Sequence, residues 1–104
     1  MRLEQMDNHY RLNGISFVWD ETKAEKNKAK HDGVSFEQAA QAFFDPFLHI
    51  MDASRNDEFR EAVIGMDKQW NLLFVVHILI EENDVIRIIS ARKVTRTERE
   101  FYEY

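Results

Sequence analysis

The chain has no cysteine among its 104 residues, so it can form neither a disulfide framework nor a thiolate metal site. Its longest apolar run, residues 72–80, is interrupted by His77 and is too short to span a bilayer. Residues 1–14 are polar and lack the apolar segment of a secretory leader. These absences predict a soluble cytoplasmic protein that does not associate with membranes.

An excess of basic charge, typical of general nucleic-acid-binding proteins, is also missing, because the net charge is −5. The charges are unevenly distributed. Residues 51–84 carry three basic and eight acidic side chains, whereas residues 85–104 carry five basic and three acidic ones. The basic residues of this tail are Arg87, Arg92, Lys93, Arg96 and Arg99. A local basic patch on an acidic body fits a confined phosphate site, and the alternative is a solvated helix face with salt bridges.

Helix signals dominate the first half of the chain. A β-prone run at residues 15–19 ends at Asp20, a suitable N-cap for a lysine-rich helix over residues 21–31. Ser35 and Gln38 have the spacing of a capping box for a second helix. We therefore expect one short strand followed by two helices.

Strand signals dominate the second half. Runs rich in β-branched and aromatic residues predict strands at residues 47–51, 58–66, 70–80 and 85–91. A second capping box at Thr95 starts a C-terminal helix. The order β-α-α-β-β-β-β-α predicts an α+β fold with an antiparallel sheet and helices mainly on one face. Residues 15–104 are expected to form one domain, and residues 1–14 a flexible extension.

Hairpin register predicts which strand side chains meet, because successive residues of a strand point to opposite faces. With a two-residue turn at residues 67–68, Arg60 lies opposite Val75 and Glu58 lies opposite His77. One face is then apolar and is the predicted core, with Phe59, Val63, Phe74, Val76, Ile78, Ile89 and Ala91. The other face is the candidate site, with Glu58, Arg60, His77, Ser90 and Arg92.

The chemistry of this predicted cluster suits phosphodiester cleavage. The guanidinium groups of Arg60 and Arg92 can bind a phosphate and stabilise a pentacoordinate transition state. His77 titrates near neutral pH and can move protons, and Glu58 can orient it or act as the base. No metal or other cofactor is needed, and the four histidines lack the close spacing of a zinc site.

A structural interpretation of the same residues is the alternative. His77 is then a partly buried residue with satisfied hydrogen bonds. Arg60 and Arg92 pair with Glu58 and Glu61, and Arg87 forms an ion pair at the edge of the core face.

Short sequence matches to one family extend from residue 17 to residue 102. They are F-x-W-D at residues 17–20, Lys23-Ala24, Asn27, Lys30-His31, residues 33–37, Asp45-Pro46, Ile64-Gly65, residues 75–77, R-I-I-S-A-R at residues 87–92, Thr95, Glu98-Arg99 and Tyr102. No single match is specific, but their order and spacing resemble the BrnT family of toxins.

The resemblance implies a RelE-like fold, a twisted antiparallel sheet with two helices before it and one after. It implies an endoribonuclease that cleaves RNA without a metal, by attack of the 2′-hydroxyl on the neighbouring phosphate, and so blocks translation. It also implies a partner, a ribbon-helix-helix antitoxin of the BrnA type. We expect a toxin–antitoxin heterotetramer that contacts operator DNA only through the antitoxin.

Two groups of residues are assigned through this resemblance. Arg60, His77 and Arg92 correspond to the basic residues that support cleavage on the sheet of such folds. The candidates for contacting RNA are Lys30, His31, Lys93 and Arg96. For Lys30 and His31, stabilisation of the helix C-terminus is an equal alternative.

Two other functions stay open from the sequence. One is a catalytically inactive toxin-like module that binds the antitoxin and regulates the operon with it. The other is an α+β adaptor that binds a peptide through Phe101, Tyr102 and Tyr104. The alternative for these three aromatics is packing of the last helix against the core.

Overall fold

A computed structural model describes residues 6–103. The elements in this range are β1 (Asp7–Leu12), β2 (Ile15–Asp20), α1 (Glu21–Lys30), α2 (Phe36–Ala42), β3 (His49–Asp52), β4 (Glu61–Met66), β5 (Leu72–Ile80), a 3₁₀ turn (Glu81–Asn83), β6 (Val85–Lys93) and α3 (Arg96–Glu103). The α+β class predicted from the sequence is confirmed. None of the helices in the described range is both long and apolar enough to cross a membrane.

The strands form one six-stranded sheet in the order β1-β2-β6-β5-β4-β3. β2 and β6 are parallel, whereas the other neighbours pair antiparallel. The prediction of a wholly antiparallel sheet is therefore wrong at this one pairing. β2 leads into α1 and α2, which cross one face of the sheet, and only the last strand returns to pair beside β2.

The N-terminal segment contributes a strand to the sheet. Residues 7–12 pair with β2, so the flexible extension predicted for residues 1–14 is wrong over this stretch; residues 1–5 lie outside the described residues. The turn between the strands is Asn13-Gly14, with φ values of 49° and 82°, which is the favoured sequence for a two-residue hairpin. Tyr10 and Leu12 pack against the core, and this burial fixes the strand.

The main core lies between the sheet and the two helices α1 and α2. Its buried members are Phe17, Trp19, Ala24, Val34, Phe36, Ala39, Ala40, Ala42, Val63, Leu73, Val75, Ile88 and Ala91. Gly65 of β4 allows α2 to approach closely, because a Cβ atom there would clash with the carbonyl oxygen of Ala42. The prediction that helices lie mainly on one face holds for α1 and α2.

Helix α3 packs on the opposite face of the sheet. The rings of Phe101 and Tyr102 lie 5.3 and 5.8 Å from that of His49 on β3. The Tyr102 hydroxyl donates to the Asp45 carboxylate at 2.6 Å. Burial and this hydrogen bond raise the pKa of Tyr102 to about 12. The packing interpretation of these aromatics therefore holds for Tyr102, while Tyr104 lies outside the described residues.

Candidate functional site

A cavity of about 400 Å³ opens on the face of the sheet opposite α1 and α2. Its walls come from the hairpin between β3 and β4 and from the middle of β5 and β6. The lining residues are Asp52, Ala53, Ser54, Arg55, Arg60, Phe74, Val76, Ser90 and Arg92. Because three arginines surround this space, we call it the arginine cavity.

The hairpin wall of the arginine cavity is closed by a two-residue turn. Arg55 and Glu58 exchange backbone hydrogen bonds of 3.1 and 2.8 Å, and residues 56–57 between them have φ values of 47° and 66°. Two positive φ values are the signature of a type I′ turn. The Ser54 hydroxyl accepts the backbone N–H of Arg60 at 3.1 Å, which fixes Arg60 at the cavity wall.

Arg60 has hydrogen-bonding capacity left for a ligand. Its Nη2 donates to Glu58 Oε2 at 2.6 Å, but its buried Nε has no acceptor within residues 6–103. A buried N–H group without an acceptor is energetically costly. Asp52 on the same wall accepts hydrogen bonds from Ser54, which lower the pKa of its carboxyl. The Nε donor of Arg60 is enclosed by protein, so a ligand accepts from it only after the neighbouring side chains move.

Arg92 is held in place by α3 and by β5. Its Nη1 and Nη2 donate to the two carboxylate oxygens of Glu98 at 2.7 and 2.9 Å. Its guanidinium carbon lies 4.3 Å from the ring centroid of Phe74, a cation–π distance. The hydrogen bonds from Arg92, together with those from Thr95, lower the pKa of Glu98. Arg92 is therefore a charged and immobilised group at the second wall of the cavity.

His77 does not join the arginine cavity, and the predicted five-residue cluster is wrong at this position. Residues 67–71 separate β4 from β5, and Val75 pairs with Val63 rather than with Arg60. The register is thus displaced by three residues from the prediction. An odd displacement exchanges the two faces of one strand relative to its neighbour. Arg60 and His77 therefore lie on opposite faces of the sheet.

The same exchange reverses the predicted core face of β5. Leu73 and Val75 belong to the core under the helices, whereas Phe74 and Val76 line the arginine cavity. Ile78 points the same way as these two residues because it lies at even spacing from them. Because every residue from Leu72 to Val76 is apolar, the sequence does not indicate which face of β5 is buried under the helices.

The carboxylate of Asp67 accounts for the longer turn. It accepts the backbone N–H groups of Gln69 and Asn71 at 2.8 and 2.9 Å and the side-chain amide of Gln38 at 2.9 Å. Trp70 adopts a left-handed φ of 68° within this loop. A two-residue turn at residues 67–68 would leave the Asp67 carboxylate with fewer hydrogen-bond donors than the observed loop of residues 67–71 provides. The longer loop is therefore preferred.

His77 is packed as a core residue. Its side chain is 6% exposed, and its ring lies 4.8 Å from that of Phe43. Nδ1 is 3.2 Å from the carbonyl oxygen of Val75, and Nε2 is 3.9 Å from Glu61. Burial lowers the pKa of His77 despite these partners, so the ring is neutral at pH 7 and the structural interpretation fits its position.

The four residues expected to contact RNA lie outside the arginine cavity. Lys30 ends α1, and the backbone N–H of His31 closes that helix by donating to Asn27. Lys93 is the exposed last residue of β6. Arg96 is 95% exposed at the start of α3. Lys30 and His31 stand on the helix-covered side, away from Arg60 and Arg92.

The buried side chain of Asn27 supports the site by holding β6 in place. This role was not predicted from the sequence. The Asn27 side chain accepts the backbone N–H of Ala91 at 3.1 Å and donates to the carbonyl oxygens of Ala91 and Val34 at 2.7 and 3.2 Å. β2 pairs with β6 only at residues 85–87, so the amide replaces a strand partner between Ser90 and Arg92. The place of Asn27 in the family pattern, three residues after Ala24 on the buried side of α1, was the available signal.

Arg55 and Phe74 are two of the cavity residues that were not predicted from the sequence. Arg55 lies between the strands predicted at residues 47–51 and 58–66, and Phe74 was assigned to the core. The signal for Arg55 was the Asn56-Asp57 pair, since both residue types tolerate the positive φ of a two-residue hairpin turn. Within residues 6–103, no three His, Asp or Glu side chains converge as ligands of a metal ion would.

Comparison with known proteins identifies the chain through one family. A search of curated proteins found no match. The family model described as "Ribonuclease toxin, BrnT, of type II toxin-antitoxin system" matches residues 19–98. The match begins at the end of β2 and runs into α3, so it includes all of the arginine cavity. The chain belongs to the BrnT family of ribonuclease toxins of type II toxin–antitoxin systems.

Proposed function

We propose that the protein is a metal-independent endoribonuclease of RelE-like fold that cleaves RNA in the arginine cavity and thereby blocks translation. The observation that carries this proposal is the convergence of Arg55, Arg60 and Arg92 around one open space. Arginine presents a planar fork of N–H donors that matches a phosphate. The arrangement gives a phosphodiester group two or three cationic neighbours.

The proposed reaction is an internal transesterification. The ribose 2′-oxygen forms a bond to the adjacent phosphorus while the bond from phosphorus to the 5′-oxygen breaks. The products are a 2′,3′-cyclic phosphate and a free 5′-hydroxyl. The proton of the 2′-hydroxyl passes to a base, and the leaving 5′-oxygen receives a proton. Guanidinium groups stabilise the additional negative charge of the pentacoordinate transition state.

Arg60 and Arg92 are proposed as the phosphate-binding residues. Arg60 offers its guanidinium group, whose buried Nε has no acceptor within residues 6–103. Arg92 has to bind RNA through donors that Glu98 does not occupy, or exchange Glu98 for the phosphate. Glu58, which lies 2.6 Å from Arg60 Nη2, is the proposed proton acceptor. His77 is not proposed as a catalyst, since its ring lies on the other face of the sheet.

A partner antitoxin is proposed from the family. Type II toxins are held inactive by an antitoxin protein, and we propose a ribbon-helix-helix antitoxin of the BrnA type in a heterotetramer. Operator DNA is then contacted only through this partner. The toxin is proposed to act on RNA in the cytoplasm.

The decisive experiment compares the wild-type chain with Arg60→Ala/Arg92→Ala, after expression alone and as purified protein freed of antitoxin. We expect growth arrest and RNA fragments ending in 2′,3′-cyclic phosphate for the wild type. The variant should cleave at least about 100-fold more slowly, the usual cost of removing a transition-state donor. Lys23→Ala, an exposed change on α1, is the matched control and should behave as wild type. Equal cleavage by the arginine variant, if folded, overturns the site.

A second candidate function is supported by the ion pairs at the cavity. Arg60 and Arg92 each already bind a carboxylate, Glu58 and Glu98. An inactive toxin-like module that binds the antitoxin and regulates the operon with it fits this arrangement. It predicts normal growth and intact RNA when the wild-type chain is expressed without antitoxin, while antitoxin binding is kept.

A further inference from the structure

A β-bulge in β6 brings Arg87 onto the face of the arginine cavity. Val76 pairs with Ser90, but the next residue of β5, His77, pairs with Ile88. Ile89 is therefore an extra residue without a partner of its own. Two residues five positions apart point to opposite faces of a regular strand, and one extra residue cancels this difference. Arg87 and Arg92 consequently share one face.

Arg87 lies on the face of the sheet that α1 and α2 do not cover. α1 and α2 pack on the other face, and the α3 rings that contact β3 stand at the far edge of the sheet. Arg87 is 27% exposed and donates to Asp7 through Nη1 and Nη2 at 3.4 and 2.9 Å. Beside it on the same face, Arg11 donates to the Ser16 hydroxyl at 2.9 Å. Two further guanidinium groups thus lie beyond the cavity, towards β1.

The contact between Arg87 and Asp7 has the geometry of an occupied anion site. Both terminal nitrogens of the guanidinium face the two oxygens of one carboxylate, which is the fork-to-fork arrangement that a phosphate also adopts. Asp7 belongs to β1, which lies outside the residues matched by the family model. An exposed carboxylate held by a partly exposed arginine is weakly bound, so a phosphate can replace it.

We infer that Arg87 forms a second phosphate subsite for single-stranded RNA, adjoining the arginine cavity, and that Asp7 occupies it when RNA is absent. This inference rests on the proposed ribonuclease function. At about 3.3 Å per residue of strand, Arg87 and Arg92 are separated by roughly 13–16 Å. That separation places a phosphate at Arg87 more than one nucleotide from the phosphate that is cleaved.

Equilibrium binding of a short single-stranded 2′-O-methyl oligoribonucleotide tests the inference, because this probe lacks the 2′-hydroxyl and is not cleaved. Arg87→Ala should weaken binding roughly tenfold at low salt, as expected for loss of a charge-assisted contact. It should also make the slope of log K against log salt shallower by about 0.7. Lys23→Ala on the opposite side of the sheet should change neither quantity.

The variant Asp7→Asn distinguishes a phosphate-binding role of Arg87 from a purely structural ion pair between Arg87 and Asp7. If Asp7 competes with phosphate for Arg87, Asp7→Asn should tighten binding by up to about fivefold, the upper limit for an exposed pair. A merely structural pair predicts no gain in affinity. The gain should vanish in Asp7→Asn/Arg87→Ala. Unfolding temperatures of all variants establish that the compared proteins are folded.

The outcomes distinguish this inference from the proposed function. If the wild type binds the probe and Arg92→Ala weakens binding, but the variants of Arg87 and Asp7 match Lys23→Ala, only the second subsite is overturned. If the wild type neither binds the probe nor cleaves RNA, both proposals fall. Weaker binding by Arg87→Ala together with tighter binding by Asp7→Asn supports the subsite.

Discussion

Replacing His77 with glutamine should flatten the pH dependence of folding between about pH 5 and pH 7. Glutamine stays neutral in this range and can still donate a hydrogen bond to the carbonyl group of Val75. In the wild type, burial lowers the pKa of His77 below its ordinary value of 6.5. The unfolded chain therefore binds the additional proton first as the pH falls, and protonation favours unfolding.

The size of this pH effect follows from the linkage between proton binding and folding. Protonation of His77 does not reduce the free energy of unfolding above about pH 6.5. It reduces that free energy as the pH falls from 6.5 towards the lower pKa of His77 in the folded state. For a difference of one proton between the two states, the upper limit of the slope is about 1.4 kcal/mol per pH unit. For a domain of this size, 1 kcal/mol corresponds to roughly 4–8 °C in unfolding temperature. Asp45, Asp67 and Glu98 also have lowered pKa values, but their contribution is lost around pH 4 and below.

The assay is urea unfolding of the wild type and His77→Gln at about pH 7.5, 6.5 and 5.5, with the free energy of unfolding plotted against pH. We expect the two curves to converge as the pH falls, because the wild type alone loses stability through this proton. Parallel curves would show that His77 is not buried in its neutral form and would refute the reasoning. Cleavage of RNA by the folded variant should persist, since His77 does not face the arginine cavity.

Three further substitutions test contacts that hold the site in place. Gly65→Ala should destabilise the fold by about 3 kcal/mol, because its Cβ would clash with a backbone carbonyl of α2; a lower urea midpoint at unchanged m value is the readout. Asn27→Ala should cost about 3 kcal/mol because it strips both backbone groups of Ala91 of their partner, and an unfolding temperature equal to that of the wild type would contradict this role. Tyr102→Phe should cost about 1 kcal/mol and raise the pKa of Asp45, one of whose hydrogen-bond donors is lost; an NMR titration of that carboxyl measures the shift.

The sequence predicted the helices well because their end signals are local. Asp20 caps α1 by accepting the N–H of Lys23 at 3.0 Å. Ser35 and Gln38 form the capping box that their spacing indicates. Such signals involve residues three positions apart and need no tertiary contact. The strands of the second half were also located, with their ends displaced by at most three residues.

The first strand and the turn between β4 and β5 were not predicted correctly. β1 has a polar outer face, and its Asn13-Gly14 turn was the one available signal. At Asp67 the loop length depends on Gln38, a residue 29 positions earlier in the chain. A side chain on α2 therefore helps to decide the register of a hairpin, and the sequence of the hairpin alone does not contain that information.

By itself, the sequence determined the α+β class, the helix boundaries and the family, because these depend on local pattern and on the order of short motifs. The tertiary structure decided which side chains share a face. A loop longer by three residues moved His77 into the core, and one bulged residue brought Arg87 beside the cavity. The period of a strand is two residues, so any odd change in register exchanges its faces. Long-range packing sets that register, and a single sequence does not reveal it.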